Sequence, residues 1–184
     1  QPISLYAATK KANELMSETY AHLYRLPLTG LRFFTVYGPW GRPDMAVWKF
    51  TEACLRGEAV PYNNGGRMRR DFTYIDDIVA GVLACADRPP ADDAAPKPGG
   101  SVSPHAIYNI GNHRSEDLAR LVAVIEQACG KPLRLDPQPM QPGDVPDTYA
   151  DISAIAKDHG FAPTTPIDVG VPNFVNWYRG WTGA

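Results

Sequence analysis

Apolar residues recur at helical spacing from Leu5 to Leu23 (Leu5, Ala8, Ala12, Leu15, Met16, Tyr20, Leu23), which predicts a helix that stops near Arg25 because Pro27 cannot continue it. Leu28 to Tyr37 reads as one strand, with Leu31, Phe33, Phe34 and Val36 apolar and Gly38-Pro39 closing it. A helix from Met45 to Arg56 lies between Pro43 and Gly57, with Val47, Phe50, Thr51, Cys54 and Leu55 on its inner face. Ala59 to Asn63 is a short strand, Asn63 to Gly66 a tight turn, and Arg69 to Tyr74 a second short strand. Ile75 to Ala86 follows as a helix whose opening carboxylates, Asp76 and Asp77, read as helix-start charges rather than an acid/base pair or a metal site.

From Arg88 to Pro104 the chain is rich in Pro, Ala, Gly and Asp, so it can bury little and is expected to be a mobile loop. His105 to Ile110 alternates as a strand, and Ser115-Glu116-Asp117 opens a helix that runs to Cys129 and stops at Gly130. A short strand around Leu133 and Leu135, a loop from Pro137 to Pro146, and helices Ile152 to His159 and Ile167 to Trp181 complete the chain. The aromatics of the last helix, Phe174, Trp177, Tyr178 and Trp181, read as core rather than as a ligand stack. A helix followed by a buried strand is half of a doubly wound α/β sheet, so Thr35 through Asp44 should line a ligand crevice at the carboxyl end of a strand.

Composition narrows this only a little. At 184 residues, 44% hydrophobic and 21% charged, the chain has room for one ordinary domain with a sizeable core. A net charge of −2 gives no basis for nucleic-acid binding, although Arg67, Arg69 and Arg70 form a local cluster able to meet phosphate. No apolar run is long enough for a bilayer. Cys54, Cys85 and Cys129 read as small buried thiols, which suits the cytoplasm. His22, His105, His113 and His159 lack ligand spacing, so no metal is expected.

The candidate chemistry rests on Tyr6 and Lys10. Four apart on one helix, they lie on the same face, and an ammonium beside a phenol favours the phenolate, the form that accepts a proton. The pair alone is a weak signal, because many surface helices carry it by chance. Three phrases strengthen it: Ser4 to Glu14 (SLYAATKKANE), Arg32 to Met45 (RFFTVYGPWGRPDM) and Met68 to Ile78 (MRRDFTYIDDI), with Met140 to Asp151 (MQPGDVPDTYAD) as a fourth. In this order and spacing they resemble the extended short-chain dehydrogenase/reductase family of nucleotide-sugar epimerases and dehydratases, closest to the UDP-glucuronate 4-epimerases.

The resemblance implies only the C-terminal portion of such an enzyme. The expected fold is the second half of a Rossmann-like doubly wound parallel sheet plus a small α/β substrate-binding domain. Residues 1–44 would be NAD-binding and 45–184 mostly nucleotide-sugar-binding, with 69–86 and 105–112 returning to the Rossmann sheet. The chain opens on Gln1 and contains no Gly-x-x-Gly-x-x-Gly, so a truncated chain that turns over no sugar alone is expected. By the same resemblance, Tyr6 and Lys10 are catalytic and contact NAD together with Phe34 and Val36. Thr35 and Arg42 hold the sugar carboxylate, Arg70 reaches the diphosphate, Val60 and Tyr62 lie near the uracil, and Gln141 and Asp144 approach the ribose and phosphates. Galactose-type epimerases carry Arg where Gln141 stands, which favours glucuronate. The implied partners are a UDP-sugar and a second copy in a cytoplasmic homodimer, with no nucleic acid and no membrane. The competing readings are a related UDP-sugar epimerase, dehydratase or decarboxylase, or a non-catalytic remnant.

Overall fold

Ser4 starts the first helix by accepting a hydrogen bond from the Ala7 amide at 3.1 Å, which satisfies one of the amides a helix start leaves open. The computed structural model describes residues 1–141 and 143–183. In chain order its elements are α1 (Leu5–Tyr24), β1 (Leu28–Phe33), β2 (Thr35–Tyr37), α2 (Ala46–Arg56), β3 (Ala59–Asn63), a 3-10 turn (Asn64–Gly66), β4 (Arg69–Tyr74) and α3 (Ile75–Asp87), then β5 (His105–Ile110), β6 (Ser115–Asp117), α4 (Leu118–Cys129), β7 (Arg134–Gln138), α5 (Ser153–His159) and α6 (Ile167–Thr182). They divide into two compact units: residues 1–33, 79–110 and 151–162, and residues 34–78, 111–150 and 163–184.

In the first unit β1 and β5 pair in parallel, from Leu28 opposite His105 to Phe33 opposite Ile110. Only Ala21 of α1 is buried. Leu5, Leu15, Met16, Tyr20 and Leu23, whose spacing predicts the helix, are each more than half exposed, because nothing among the described residues covers that stripe. The Arg88 to Pro104 segment, expected to be loose, is tied down. Ile107 N donates to Pro98 O and Leu28 N to Pro104 O, Arg25 pairs with Asp92, and the Ser101 hydroxyl donates to Glu18. Its backbone groups thus find partners without regular structure.

Also in this unit, the Arg32 guanidinium forks onto Glu14, with Nη2 2.9 Å from Oε2. That hydrogen bonding holds the Glu14 carboxyl at about 2, against an ordinary value of 4.5. A lowered folded value contributes stability above 4.5 that is lost as pH falls toward 2. Thermal melts across that window should show the wild-type midpoint falling, and Arg32→Met should make the fall shallower while lowering the midpoint at neutral pH. Equal acid sensitivity of the two proteins would refute the assignment.

The second unit holds three strand pairings: β2 with β4 in parallel, β4 with β6 antiparallel, and β3 with β7 in parallel. Its core joins Tyr37 and Phe72 to Val47 and Phe50 of α2, Leu121 and Ile125 of α4, and Phe174 and Val175 of α6. The ring of Trp48 lies 5.8 Å from Phe174 and 5.3 Å from Tyr178, and Trp177 stacks on Trp181 at 5.6 Å. Trp40, with φ +62°, closes edge-on against Trp177 at 5.3 Å. Cys54, Cys85 and Cys129 are free and buried, and burial pushes the Cys129 thiol up to about 12.

Three elements differ from expectation. The Leu28 to Tyr37 run breaks at Phe34, because its first part pairs with β5 and its second with β4. Ser115 to Asp117 is a strand rather than the first turn of α4, since Arg69 to Asp71 offers it an open edge. β7 extends to Gln138, into the expected loop, through its pairing with β3. Asp77, read as a helix-start charge, is buried and accepts from Thr164 N, Thr164 Oγ1 and Thr165 N at 3.0–3.2 Å, so it clamps the approach to α6.

Candidate functional site

β2 ends at Gly38, whose φ of +142° is open chiefly to glycine and where a Cβ would come 2.4 Å from Ile75 Cγ2. This turn sends residues 38–45 across to α2, whose capping residue Met45 makes no side-chain cap bond. Met45, Ala46, Lys49 and Phe50 then present one face of the helix start to a cavity of about 600 Å³. Thr35 lines it from β2, Val60, Pro61 and Asn63 from β3, and Arg70 and Phe72 from β4, with Gln141 and Asp144 from the segment after β7. The cavity lies wholly within the second unit.

Its charges are arranged in pairs with one exception. Arg70 Nη2 donates to Asp144 Oδ1 at 2.8 Å, while Nη1 reaches the carbonyls of Arg69 and Pro146 at 2.9 and 3.3 Å. This fixes a half-buried guanidinium in a geometry suited to phosphate. Asp44 is paired with Arg42, Nε to Oδ1 at 3.0 Å, and the guanidinium holds its carboxyl below the usual range. The Lys49 side chain makes no hydrogen bond or ion pair with the described residues, its backbone N alone bonding Met45 O. Asn63, at the cap of the 64–66 turn, makes no cap bond and buries Oδ1 without a partner.

Of the residues singled out from the sequence, Thr35, Val60, Arg70, Gln141 and Asp144 line this cavity. Arg42 does not; it is exposed, beside a separate small hollow that Val36 also lines. Tyr62 is half-buried, packs against the core and turns its ring over Gly66, where a Cβ would meet Oη at 1.9 Å. Phe34 is half-buried at the start of the unit. Tyr6 and Lys10 belong to the first unit. Both are exposed, with Lys10 Nζ 5.5 Å from the Tyr6 ring centre. Of the basic cluster only Arg70 reaches the cavity; Arg69 pairs with Asp117 and Arg67 bonds the carbonyl of Asn64. Asp44, the last residue of the stretch expected to line a crevice, does line this cavity, whereas the sequence reading missed Lys49 and Asn63. For Lys49 a signal existed, a cation one residue before Phe50 on a helix otherwise apolar on that side.

Parallel strands joined through helices, with a nucleotide-sized cavity carrying a fixed arginine, define a Rossmann-type α/β protein. The chain belongs to the NAD dependent epimerase/dehydratase family, whose model matches residues 1–111. It is 52% identical over 182 residues to Protein CapI of Staphylococcus aureus, covering 96% of this chain and 54% of that protein. It is 45% identical over 191 residues to UDP-glucuronate 4-epimerase 6 of Arabidopsis thaliana, covering 100% of this chain and 41% of that protein. Among solved structures it is similar to MoeE5 in complex with UDP-glucuronic acid and NAD, at 31% identity and a TM-score of 0.87, covering 98% of this chain and 57% of that one. The chain thus spans about half the length of the curated relatives it matches. Among the described residues no helix is long and apolar enough to cross a membrane.

Proposed function

We propose that this chain is the C-terminal portion of an NAD-dependent nucleotide-sugar epimerase that interconverts UDP-glucuronate and UDP-galacturonate. The observation that carries the reading is the second unit's cavity, in which Arg70, held by Asp144, shares walls with Thr35, Val60 and Gln141. An arginine fixed by a carboxylate suits a diphosphate, and a volume of about 600 Å³ suits a nucleotide sugar. In this reading residues 1–44 carry the NAD-binding share of the chain.

Tyr6 and Lys10 offer a phenol and an ammonium on one exposed helix face, a donor set that suits the nicotinamide-ribose end of NAD, and the reading assigns Phe34 and Val36 to the same cofactor. When bound, NAD supplies reversible acceptance of a hydride from carbon 4 of the sugar. Tyr6, as phenolate, takes the proton of the 4-hydroxyl and returns it after the 4-keto sugar has turned over. Lys10, whose Nζ lies 5.5 Å from the Tyr6 ring centre, offers its ammonium to the ribose. Thr35 and Arg42 grip the carboxylate and keep its bond to the ring out of line with the carbonyl π system, so that carbon dioxide is retained. A cytoplasmic homodimer belongs to the same reading, and the uncovered apolar stripe of α1 supports association.

Arg42 provides the test. Its pair with Asp44 is exposed and therefore easily exchanged for a substrate carboxylate. In the full-length protein, Arg42→Ala removes a charge-assisted contact of about 1.5 to 3 kcal/mol, roughly a tenfold to hundredfold loss on UDP-glucuronate. UDP-glucose, neutral at that carbon, should barely register the change, and some UDP-pentose should leak from the loosened keto acid. Assaying both sugars on one preparation separates this from misfolding, which lowers both together. An equal fall on the two sugars, without decarboxylated product, would remove the glucuronate assignment.

A further inference from the structure

We propose that Arg42, Asp44 and Lys49 form a charge hand-over at the start of α2: Arg42 leaves Asp44 to take the substrate carboxylate, and Lys49 takes Arg42's place on Asp44. The proposal rests on the glucuronate reading above and adds a positioning residue, Lys49, to it.

The arrangement follows from where the three side chains stand. Asp44 and Lys49 line the cavity, whereas Arg42 sits outside it, its side chain three-quarters exposed and forked onto Asp44. Holding a sugar carboxylate therefore requires Arg42 to give up its present partner. With Met45 as the capping residue, Asp44 immediately precedes the cap and Lys49 is the fourth residue of the helix, with Lys49 N bonded to Met45 O at 3.0 Å. Side chains at these two positions meet across a helix start, the relation that in an apolar pair fixes the entry of the chain. Here the pair is a carboxylate and an ammonium, and Lys49 contributes to keeping the Asp44 carboxyl ionised.

The remaining charges support the choice of Lys49. Arg70 is committed to Asp144 and to two backbone carbonyls, so it is not available to Asp44. Lys49 is the other cation lining the cavity, and its flexible stem and three rotatable donors suit a partner taken up only when another leaves. Without Lys49, the departure of Arg42 would leave Asp44 uncompensated beside an incoming carboxylate, and like charges at that range repel. Asp44 therefore acts as a latch that holds Arg42 outside the cavity until an acidic sugar arrives.

The experiment uses the full-length protein, with UDP-glucuronate and UDP-glucose as probes, read by KM, kcat and calorimetric affinity. Lys49→Met should raise KM and weaken binding for UDP-glucuronate about fivefold with kcat little changed, and leave UDP-glucose unaffected. Lys49→Arg should restore both values. The decisive protein is the double variant: Asp44→Asn in the Lys49→Met background removes the charge that Lys49 neutralises and should return UDP-glucuronate binding toward wild type. If the double variant stays as weak as Lys49→Met, Lys49 contacts the substrate itself and the hand-over is wrong. A Lys49→Met defect equal on both sugars, or no defect, also overturns it, while the Arg42→Ala ratio still stands for the glucuronate reading. If the wild type neither binds nor converts UDP-glucuronate, both fall together.

Discussion

Replacing Asp71 by alanine should destabilise the second unit by about 2 to 5 kcal/mol, the cost of leaving its hydrogen-bond donors unsatisfied in the interior. Asp71 is fully buried. Its carboxylate accepts from Asn112 N at 2.6 Å, Ala150 N at 3.2 Å and the Thr73 hydroxyl at 3.0 Å, and its own amide donates to Thr148 Oγ1. One side chain thus joins β4 to the turn after β5 and to the segment at 148–150. Space around it is closed, since a Cβ on Gly111 would come 2.5 Å from Ala150 Cβ and 3.1 Å from Asp71 Oδ1. Alanine would leave two interior amides without acceptors and a void in their place. Asp71→Asn, which keeps the shape and one acceptor, should cost markedly less. Chemical denaturation of the three proteins measures this, and a loss under 1 kcal/mol for alanine would show that water replaces the carboxylate. Because Arg70 is the neighbouring residue, ligand affinity should fall with stability.

On the proposed epimerase reading, Tyr6→Phe should lower activity of the full-length protein by about a hundredfold to ten-thousandfold, the usual share of a positioned proton acceptor. The prediction is clean because Tyr6 is 71% exposed, so losing its hydroxyl removes little packing. The thermal midpoint should be unchanged, and UDP-glucuronate should bind within a few-fold of wild type. Lys10→Met should also reduce activity, with NAD binding weakened. Retention of a tenth or more of the activity by Tyr6→Phe would assign the proton transfer to another group.

What could be read ahead of the fold was what local physics decides. The stops at Gly57, Gly130 and Gly160 are left-handed caps, with φ of +72°, +67° and +70°, and glycine marked each of them in the sequence. The break at Phe34 left no mark, because an alternating apolar run reports which faces of a strand are covered and not which neighbour it pairs with. The exposed stripe of α1 is the converse case: the period of its apolar positions fixed a helix, while burial depends on what lies against it. In the cavity, Thr35, Arg70 and Asp144 came to notice through the phrases that contain them. Lys49 was hidden within an ordinary amphipathic helix, and Asp77 carried two compatible signals, a helix-start charge and a buried acceptor for Thr164 and Thr165.

All four tryptophans of the chain, Trp40, Trp48, Trp177 and Trp181, belong to the second unit and lie within ring contact of one another. Intrinsic fluorescence excited at the indole band is therefore a spectroscopic window on that unit alone, and melting of the first unit is dark to it. Far-ultraviolet dichroism, to which α1 and α5 also contribute, sees both. Recording the two signals during one denaturation would show directly whether the units unfold as one cooperative body. Coincident curves mean that they do, and a dichroism change preceding the fluorescence change means that the first unit opens on its own.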